Sequence, residues 1–293
     1  MPLFTGENYY ALILGASSGM GLATAQKLAQ EGMNLCLVHR DRRSRTQEIE
    51  AAFTALRTHN VQVLTFNLNA LQPAGRIAVI NALKEKFSEE QGKIRLLLHA
   101  ISRGNLKRLA RPPTHQALDS ALKPEILAAL AQLAPPKPEG EETWLAGDDF
   151  ALTIQAMATS LWDWTQAIMQ SDLFAADARI LGLTSEGNQR AWPYYAAVSA
   201  AKATLESLIR AMAKELAPYG LRSNVIQAGV TDTPSLRMIP GSEQLKASAA
   251  LRNPFGRLTT PEDVAKVVAL LCTDEAAWIN GALIPVDGGE RVG

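Results

Sequence analysis

The chain has 293 residues, 47% hydrophobic and 20% charged, with a formal net charge of zero. That composition supports one large core, and length alone permits one or two domains. There is no basic surplus for a nucleic-acid binder, no apolar run long enough to span a bilayer and no charged-then-apolar leader. The expectation is therefore a cytoplasmic protein with neither nucleic acid nor membrane as partner. Cys36 and Cys272 lie in apolar surroundings and suit a reducing compartment. His39, His59, His99 and His115 are scattered and form no metal-ligand pattern.

Tyr9–Leu14 is a short apolar run of strand formers. It leads into Gly15-Ala-Ser17-Ser18-Gly19-Met20-Gly21 and then into Leu22–Ala29, whose apolar positions recur at helical spacing. In a strand–turn–helix context, glycines let the backbone approach a pyrophosphate, and the helix start offers N–H groups and a positive dipole end. Gly15, Ser17, Ser18, Gly19, Met20 and Gly21 are thus candidate dinucleotide contacts. The spacing is Gly-x3-Gly-x-Gly. A second apolar run, Leu35–Val38, ends at His39 and Arg40, where the adenosine ribose is expected. Arg40 suits a 2′-phosphate through its charge and planar donor fork, so NADPH is expected over NADH.

The alternation continues with a helix over Gln47–Arg57, a strand over Gln62–Phe66, a helix over Ile77–Phe87 and a strand over Leu96–His99. Such alternation argues for a parallel sheet covered on both faces, with ligands at the carboxyl ends of the strands. Asn67 and Leu68 are then expected beside the adenine, and Ala100, Ile101 and Ser102 near the nicotinamide ribose. From about 106 to 147 the rhythm breaks between proline-rich flanks. This segment reads as an insertion in one domain, with a helix over Leu118–Leu133. A lid, a substrate wall, a subunit contact and a plain surface elaboration all stay open for it. A long helix over Asp149–Gln170, a strand over Arg179–Leu183, a helix over Ala196–Leu216 and a strand over Arg222–Gln227 follow. Residues 235–252 are polar and mixed, and read as a mobile substrate-binding loop of about 234–252. Pro261–Cys272 reads as a helix and Ala282–Val286 as a last strand.

Tyr195 and Lys202 stand seven positions apart, so on a helix they project from nearly one face. A phenol with a neighbouring ammonium is a proton donor whose pKa the cation would lower. The pair alone equally suits two unrelated side chains on one helix face.

With these parts assembled, the sequence resembles the short-chain dehydrogenase/reductase superfamily. The parts are the Gly15–Gly21 loop, the Ser185/Tyr195/Lys202 group, Arg222-Ser-Asn224 through Gly229, and the tail Gly281 through Gly289. Most members place the tyrosine four residues before the lysine; here that position is Val198. The Tyr-x6-Lys spacing, Arg190-Ala-Trp-Pro193-Tyr-Tyr195 and Leu98-His99-Ala-Ile101 are similar to the divergent enoyl-acyl-carrier-protein reductases. Two features depart from that branch: the glycine loop is of the ordinary superfamily kind, and Ser185 stands where many enoyl reductases carry a second aromatic. Gln155 lies roughly where the superfamily has a helix asparagine.

The resemblance implies an α/β fold: one Rossmann-type, doubly wound parallel sheet in three α/β/α layers, with a helical insertion after the fourth strand, as a single domain over 1–293. It implies a reductase of the 2,3-double bond of an enoyl thioester, carried by coenzyme A or presented by acyl carrier protein. Tyr195 would be the oxyanion donor, Lys202 the ligand of the nicotinamide ribose, and Ser185 a second substrate hydrogen bond. Gly229, Thr231 and Thr233 would hold the carboxamide and phosphate region. A homo-oligomer, tetramer or dimer, is also implied. A carbonyl or 3-oxoacyl reductase and a non-catalytic NADP-binding scaffold are the competing readings.

Overall fold

The computed structural model describes residues 2–110, 124 and 144–293. Seven strands form one sheet: β1 Tyr9–Leu14, β2 Asn34–His39, β3 Val63–Asn67, β4 Lys93–His99, β5 Phe174–Ser185, β6 Leu221–Ala228 and β7 Leu283–Val286. Their order is β3-β2-β1-β4-β5-β6-β7, and every neighbouring pair is parallel. The helices are α1 Gly19–Gln30, α2 Thr46–Arg57, α3 Pro73–Glu90, α4 Gly147–Ile154, α5 Ser160–Gln170, α6 Ala196–Glu215, α7 Pro234–Arg237, α8 Ser242–Arg252 and α9 Pro261–Leu271. Parallel strands need crossovers, and the helices supply them.

Because successive strand residues point to opposite faces, the apolar runs divide between two cores. Ala11, Ile13, Leu35, Leu37, Leu96 and Leu98 pack with α1, α2 and α9 on one face. Tyr10, Leu12, Leu14, Cys36, Val38 and Leu97 pack with α3, α5 and α6 on the other. This is the three-layer doubly wound fold that the alternation of elements implies. Strand order reverses between β1 and β4, so a crevice opens at the carboxyl ends of those strands.

Several segments differ from expectation. The helix expected over 149–170 is two α-helices joined by a π-turn at Gln155–Thr159. Residues 234–252, read as a loop, form α7 and α8. Only Ala249 of α8 is buried, so the helix carries no apolar stripe for the sequence to reveal. The helix expected over 118–133 lies outside the described residues, as does most of 106–147.

Two arginines on the strands secure the end of α9. The Arg179 Nε donates to Leu271 O at 2.8 Å and its Nη2 to Thr273 O at 3.1 Å, while the Arg95 Nε donates to Cys272 O at 3.0 Å. Both guanidinium groups pair with Asp177. These donors satisfy carbonyls that a helix leaves open at its C-terminus, and their charge suits its negative dipole end. Arg179 is 1% exposed. Arg179→Met leaves Leu271 O and Thr273 O without this donor while Asp177 keeps Arg95 and Arg222, and is expected to lower unfolding free energy by about 1–3 kcal/mol. Urea unfolding of the variant beside the wild type measures that loss.

Candidate active site

The carboxyl edge of the sheet collects the residues singled out in the sequence. The Gly15 N–H donates to Val38 O at 2.8 Å and the Ala100 N–H to Leu14 O at 2.8 Å, which draws the glycine turn and the end of β4 together. A Cβ on Gly15 would lie 2.7 Å from Ala100 O, and one on Gly21 would lie 2.1 Å from Gly15 O. Neither position admits a side chain. A Cβ on Gly19 would stand 3.3 Å from the Thr233 methyl, so the glycine turn also faces the segment after β6. Ser18 is the extended residue before α1, and its hydroxyl caps nothing. The first turn of α1 thus presents backbone N–H groups, including that of Met20, beside a turn free of side-chain bulk. These residues fit a dinucleotide pyrophosphate.

At the end of β2, His39 is buried and its Nδ1 lies 3.0 Å from Asp41 Oδ2, while Arg40 is exposed. Asp41 also meets the Ser17 hydroxyl and the Arg45 guanidinium, and these contacts hold its carboxyl below the usual range against the pull of burial. The Asn67 side chain exchanges two hydrogen bonds with the Asp41 backbone, at 3.1 and 3.3 Å. The Leu68 N–H donates to His39 O at 2.9 Å. Asn67 and Leu68 therefore fasten the ends of β2 and β3 together at the crevice. Ile101 is half-buried and Ser102 exposed beyond Ala100.

On the other side of the switch point, Tyr195 precedes α6 and Ser185 ends β5. The Tyr195 Oη lies 3.3 Å from Ser185 Oγ. Two backbone features make this contact possible. Tyr194 has φ +69°, a left-handed conformation costly for a non-glycine residue, and it is buried with the Arg108 guanidinium 4.5 Å from its ring centroid. Gly187 supplies the second: a Cβ there would lie 2.5 Å from the Tyr195 ring. Val198, one turn into α6, is buried against Ala156, Met157 and Ala201. Its methyl would stand 2.7 Å from a Cβ on Gly104.

Lys202 is 8% exposed and its ammonium donates to Leu183 O at 2.7 Å. Phenol, hydroxyl and ammonium thus converge on the end of β5. Burial pulls the Lys202 pKa down to about 8, partly opposed by the charge of Glu206. Tyr195 moves the other way. Burial raises its pKa and the Ser185 hydrogen bond opposes the rise. The expected lowering of the phenol by its cationic neighbour is therefore corrected: Tyr195 is a well-protected neutral phenol.

Four further residues shape the site without having been singled out. Glu206, one turn after Lys202, accepts from Thr184 Oγ1 and Asn188 Nδ2, each at 2.7 Å, and so ties both flanks of Ser185 to α6. Its i+4 spacing from Lys202 was the available signal. Asp41 ties the end of β2 to Asn67 and Arg45 and follows Arg40 directly. Gly187 and Arg108 left no local mark. The His99 Nε2 lies 2.8 Å from Ser160 Oγ, just past the π-turn. Burial and the charge of Lys202 push the His99 pKa down to about 3, so it is neutral. Gln155 is exposed and begins the π-turn. Thr231 donates to Gly229 O at 2.9 Å, and Thr233 accepts from the Leu236 N–H at 3.2 Å. Gly229 packs so closely that a Cβ would lie 2.3 Å from Thr259 Oγ1.

Two family models cover this chain almost end to end. One, short chain dehydrogenase, matches residues 9–123; the other, Enoyl-(Acyl carrier protein) reductase, matches residues 116–290. The chain belongs to the short-chain dehydrogenase/reductase family. It is an oxidoreductase of that family, with features of the divergent enoyl-reductase branch. Its relatives include the cis-4-hydroxycyclohexanecarboxylate dehydrogenase of Sinomonas cyclohexanicum, 28% identical over 284 residues, 95% of each chain. The enoyl-[acyl-carrier-protein] reductase [NADH] FabI of Aquifex aeolicus is 36% identical over 113 residues, which cover 39% of this chain and 42% of the relative. The crystal structure of the Aquifex aeolicus VF5 enoyl-[acyl-carrier-protein] reductase superposes with a TM-score of 0.73 at 23% identity, over 99% of this chain and 98% of that one. Among the described residues, no helix is long and apolar enough to cross a membrane.

The lysine has a thermodynamic consequence in this short-chain dehydrogenase/reductase. Its folded pKa of about 8 lies below that of a free lysine. Below pH 8 both states are protonated and the folded state bears the full desolvation cost, about 3 kcal/mol; the cost fades as pH rises from 8 to about 10.5. Lys202→Met is expected to raise the thermal midpoint of the ligand-free protein at pH 7. Calorimetry across pH 7–10 should show that advantage shrinking.

Proposed function

We propose that the protein is an NADPH-dependent reductase of the 2,3-double bond of an enoyl thioester, carried by coenzyme A or acyl carrier protein. The observation that carries this reading is the position of the phenol. Tyr195 approaches Ser185 from the residue before α6, while the site four residues before Lys202 is a buried valine with no proton to give. The match of residues 116–290 to the enoyl reductase family supports the same choice.

When bound, the nicotinamide dinucleotide supplies a hydride. The Gly15–Gly21 turn and the start of α1 bind the pyrophosphate through backbone N–H groups, and Arg40 meets a 2′-phosphate at the ribose. Lys202 binds and orients the nicotinamide ribose. Gly229, Thr231 and Thr233 enclose the carboxamide side, with Ala100, Ile101 and Ser102 opposite. Tyr195, kept neutral by burial, donates a hydrogen bond to the thioester oxygen where negative charge builds. Ser185 holds the phenol and offers a second hydrogen bond.

A second reading rests on the same contact. Two hydroxyl groups 3.3 Å apart can also polarise and protonate a ketone, which would make the protein a 3-oxoacyl reductase. NADPH oxidation with crotonyl-CoA and then with acetoacetyl-CoA, at equal enzyme, separates the two. Turnover of the first alone is expected; turnover of the second alone overturns the enoyl reading. Tyr195→Phe removes one oxyanion donor and is expected to cut kcat by roughly two to three decades. An unchanged kcat would remove the phenol from the mechanism. Arg40→Ala is expected to weaken NADP+ binding by about 10- to 100-fold, and NAD+ binding by less than about twofold. Isothermal titration with each nucleotide measures the difference.

A further inference from the structure

Helix α8 ends on an arginine that joins three distant parts of the chain. The Arg252 Nη2 donates to Glu186 Oε1 at 2.5 Å and to Glu290 Oε1 at 3.0 Å. Its Nη1 donates to Glu186 Oε2 at 3.3 Å and to Glu290 O at 3.0 Å. Glu186 directly follows Ser185. Glu290 lies in the C-terminal turn and is 1% exposed. Its second carboxylate oxygen accepts from the Val230 N–H at 2.9 Å, inside the segment that faces the glycine turn. Two residues before α8 begins, Pro240 O accepts from the Nε1 of Trp192, three residues before Tyr195, at 3.3 Å.

The energetic logic follows from burial. A carboxylate as enclosed as Glu290 needs a counter-charge, and Arg252 is the cation it meets. If α8 swings outward, Glu290 loses that charge while still holding Val230, and among the described residues Glu186 keeps the looser 3.4 Å pair with the half-exposed Arg190. Displacing α8 therefore carries a penalty paid at both the Ser185 turn and the Val230 segment. Elsewhere α8 buries only Ala249 and is held by a looser 3.7 Å pair of Lys246 with Asp232 and by the Asn253 Nδ2 donating to Asp287 O at 2.9 Å, so Arg252 carries its closest charged contacts to other elements.

We infer that Arg252 is a positioning residue: through Glu186 and Glu290 it couples the substrate-side helix α8 to the Ser185 turn and to the cofactor segment 229–233, so that the three move as one unit. The inference rests on the reading that 229–233 meets the dinucleotide and that Ser185 faces substrate. Filling of the cofactor cleft should then tighten α8, which the dinucleotide need not touch.

Hydrogen exchange on the full chain, with and without NADP+, tests this. In the wild type, NADP+ should slow exchange at 15–21 and also at 242–252. In Arg252→Met the protection at 15–21 should stay, while that at 242–252 falls on the order of tenfold. With whichever thioester the enzyme reduces, Arg252→Met should raise KM and lower kcat together, and Arg252→Lys should recover part of both. Glu290→Gln keeps an acceptor for Val230 but removes the charge facing Arg252, and should weaken the coupling in the same direction; it serves if the methionine variant does not fold. Coupling that survives in both variants, or wild-type protection confined to 15–21, overturns the inference. Absence of NADP+ protection at 15–21 itself would instead refute the cofactor reading, and the inference with it.

Discussion

The hydrogen bond between Tyr195 and Ser185 is the contact on which the site depends. It requires the chain to turn sharply before α6, and the turn is made by a tyrosine in a backbone conformation that suits glycine or asparagine. Packing compensates for that strain. Tyr194 is buried under the Arg108 guanidinium, and the Tyr195 ring slides past a residue with no side chain at 187. Strain held by surrounding contacts at one residue is a common mark of a functional site. Here it aims a phenol at the end of β5 from a turn earlier than most members of the family do.

The neighbouring electrostatics follow from burial more than from pairing. Lys202 is stripped of water and meets a backbone carbonyl, and Glu206 holds the flanks of Ser185 while opposing the loss of the lysine proton. The phenol is pushed toward its neutral form by the same dryness. A neutral phenol whose partner is another neutral hydroxyl suits charge that appears only during reaction, since no ion is paired with it beforehand. The sheet contributes by placing its seven strand ends along one edge, and the glycine turn by leaving backbone where a side chain would not fit.

Much of the architecture was legible because the buried strands are continuous apolar runs. Tyr9–Leu14 was read to the residue, and α6 to within one. Strand β5 was read as Arg179–Leu183 but begins at Phe174: Ala175, Ala176 and Asp177 are poor strand formers, and the surrounding sheet sets the extended path. The π-turn at Gln155–Thr159 was invisible because an extra residue inserted in a helix leaves its composition unchanged. Helix α8 looked like a loop because only Ala249 of it is fully buried, which leaves no apolar stripe in its sequence. Within the site, Tyr195, Lys202 and the glycine turn could be read from spacing, and Ser185 from the family resemblance. Glu186, Arg252 and Glu290 could not, since 66 and 38 residues separate the arginine from its partners. Only folding brings them together.

The central claim is that the phenol of Tyr195 serves the reacting end of the cofactor. A crystal structure of the NADP+ complex tests it most directly. The account requires the Tyr195 hydroxyl beside the nicotinamide C4, with the Lys202 ammonium on the ribose hydroxyls. A Tyr195 ring turned out of the cleft, with the Tyr194 hydroxyl or another donor in its place, would contradict it.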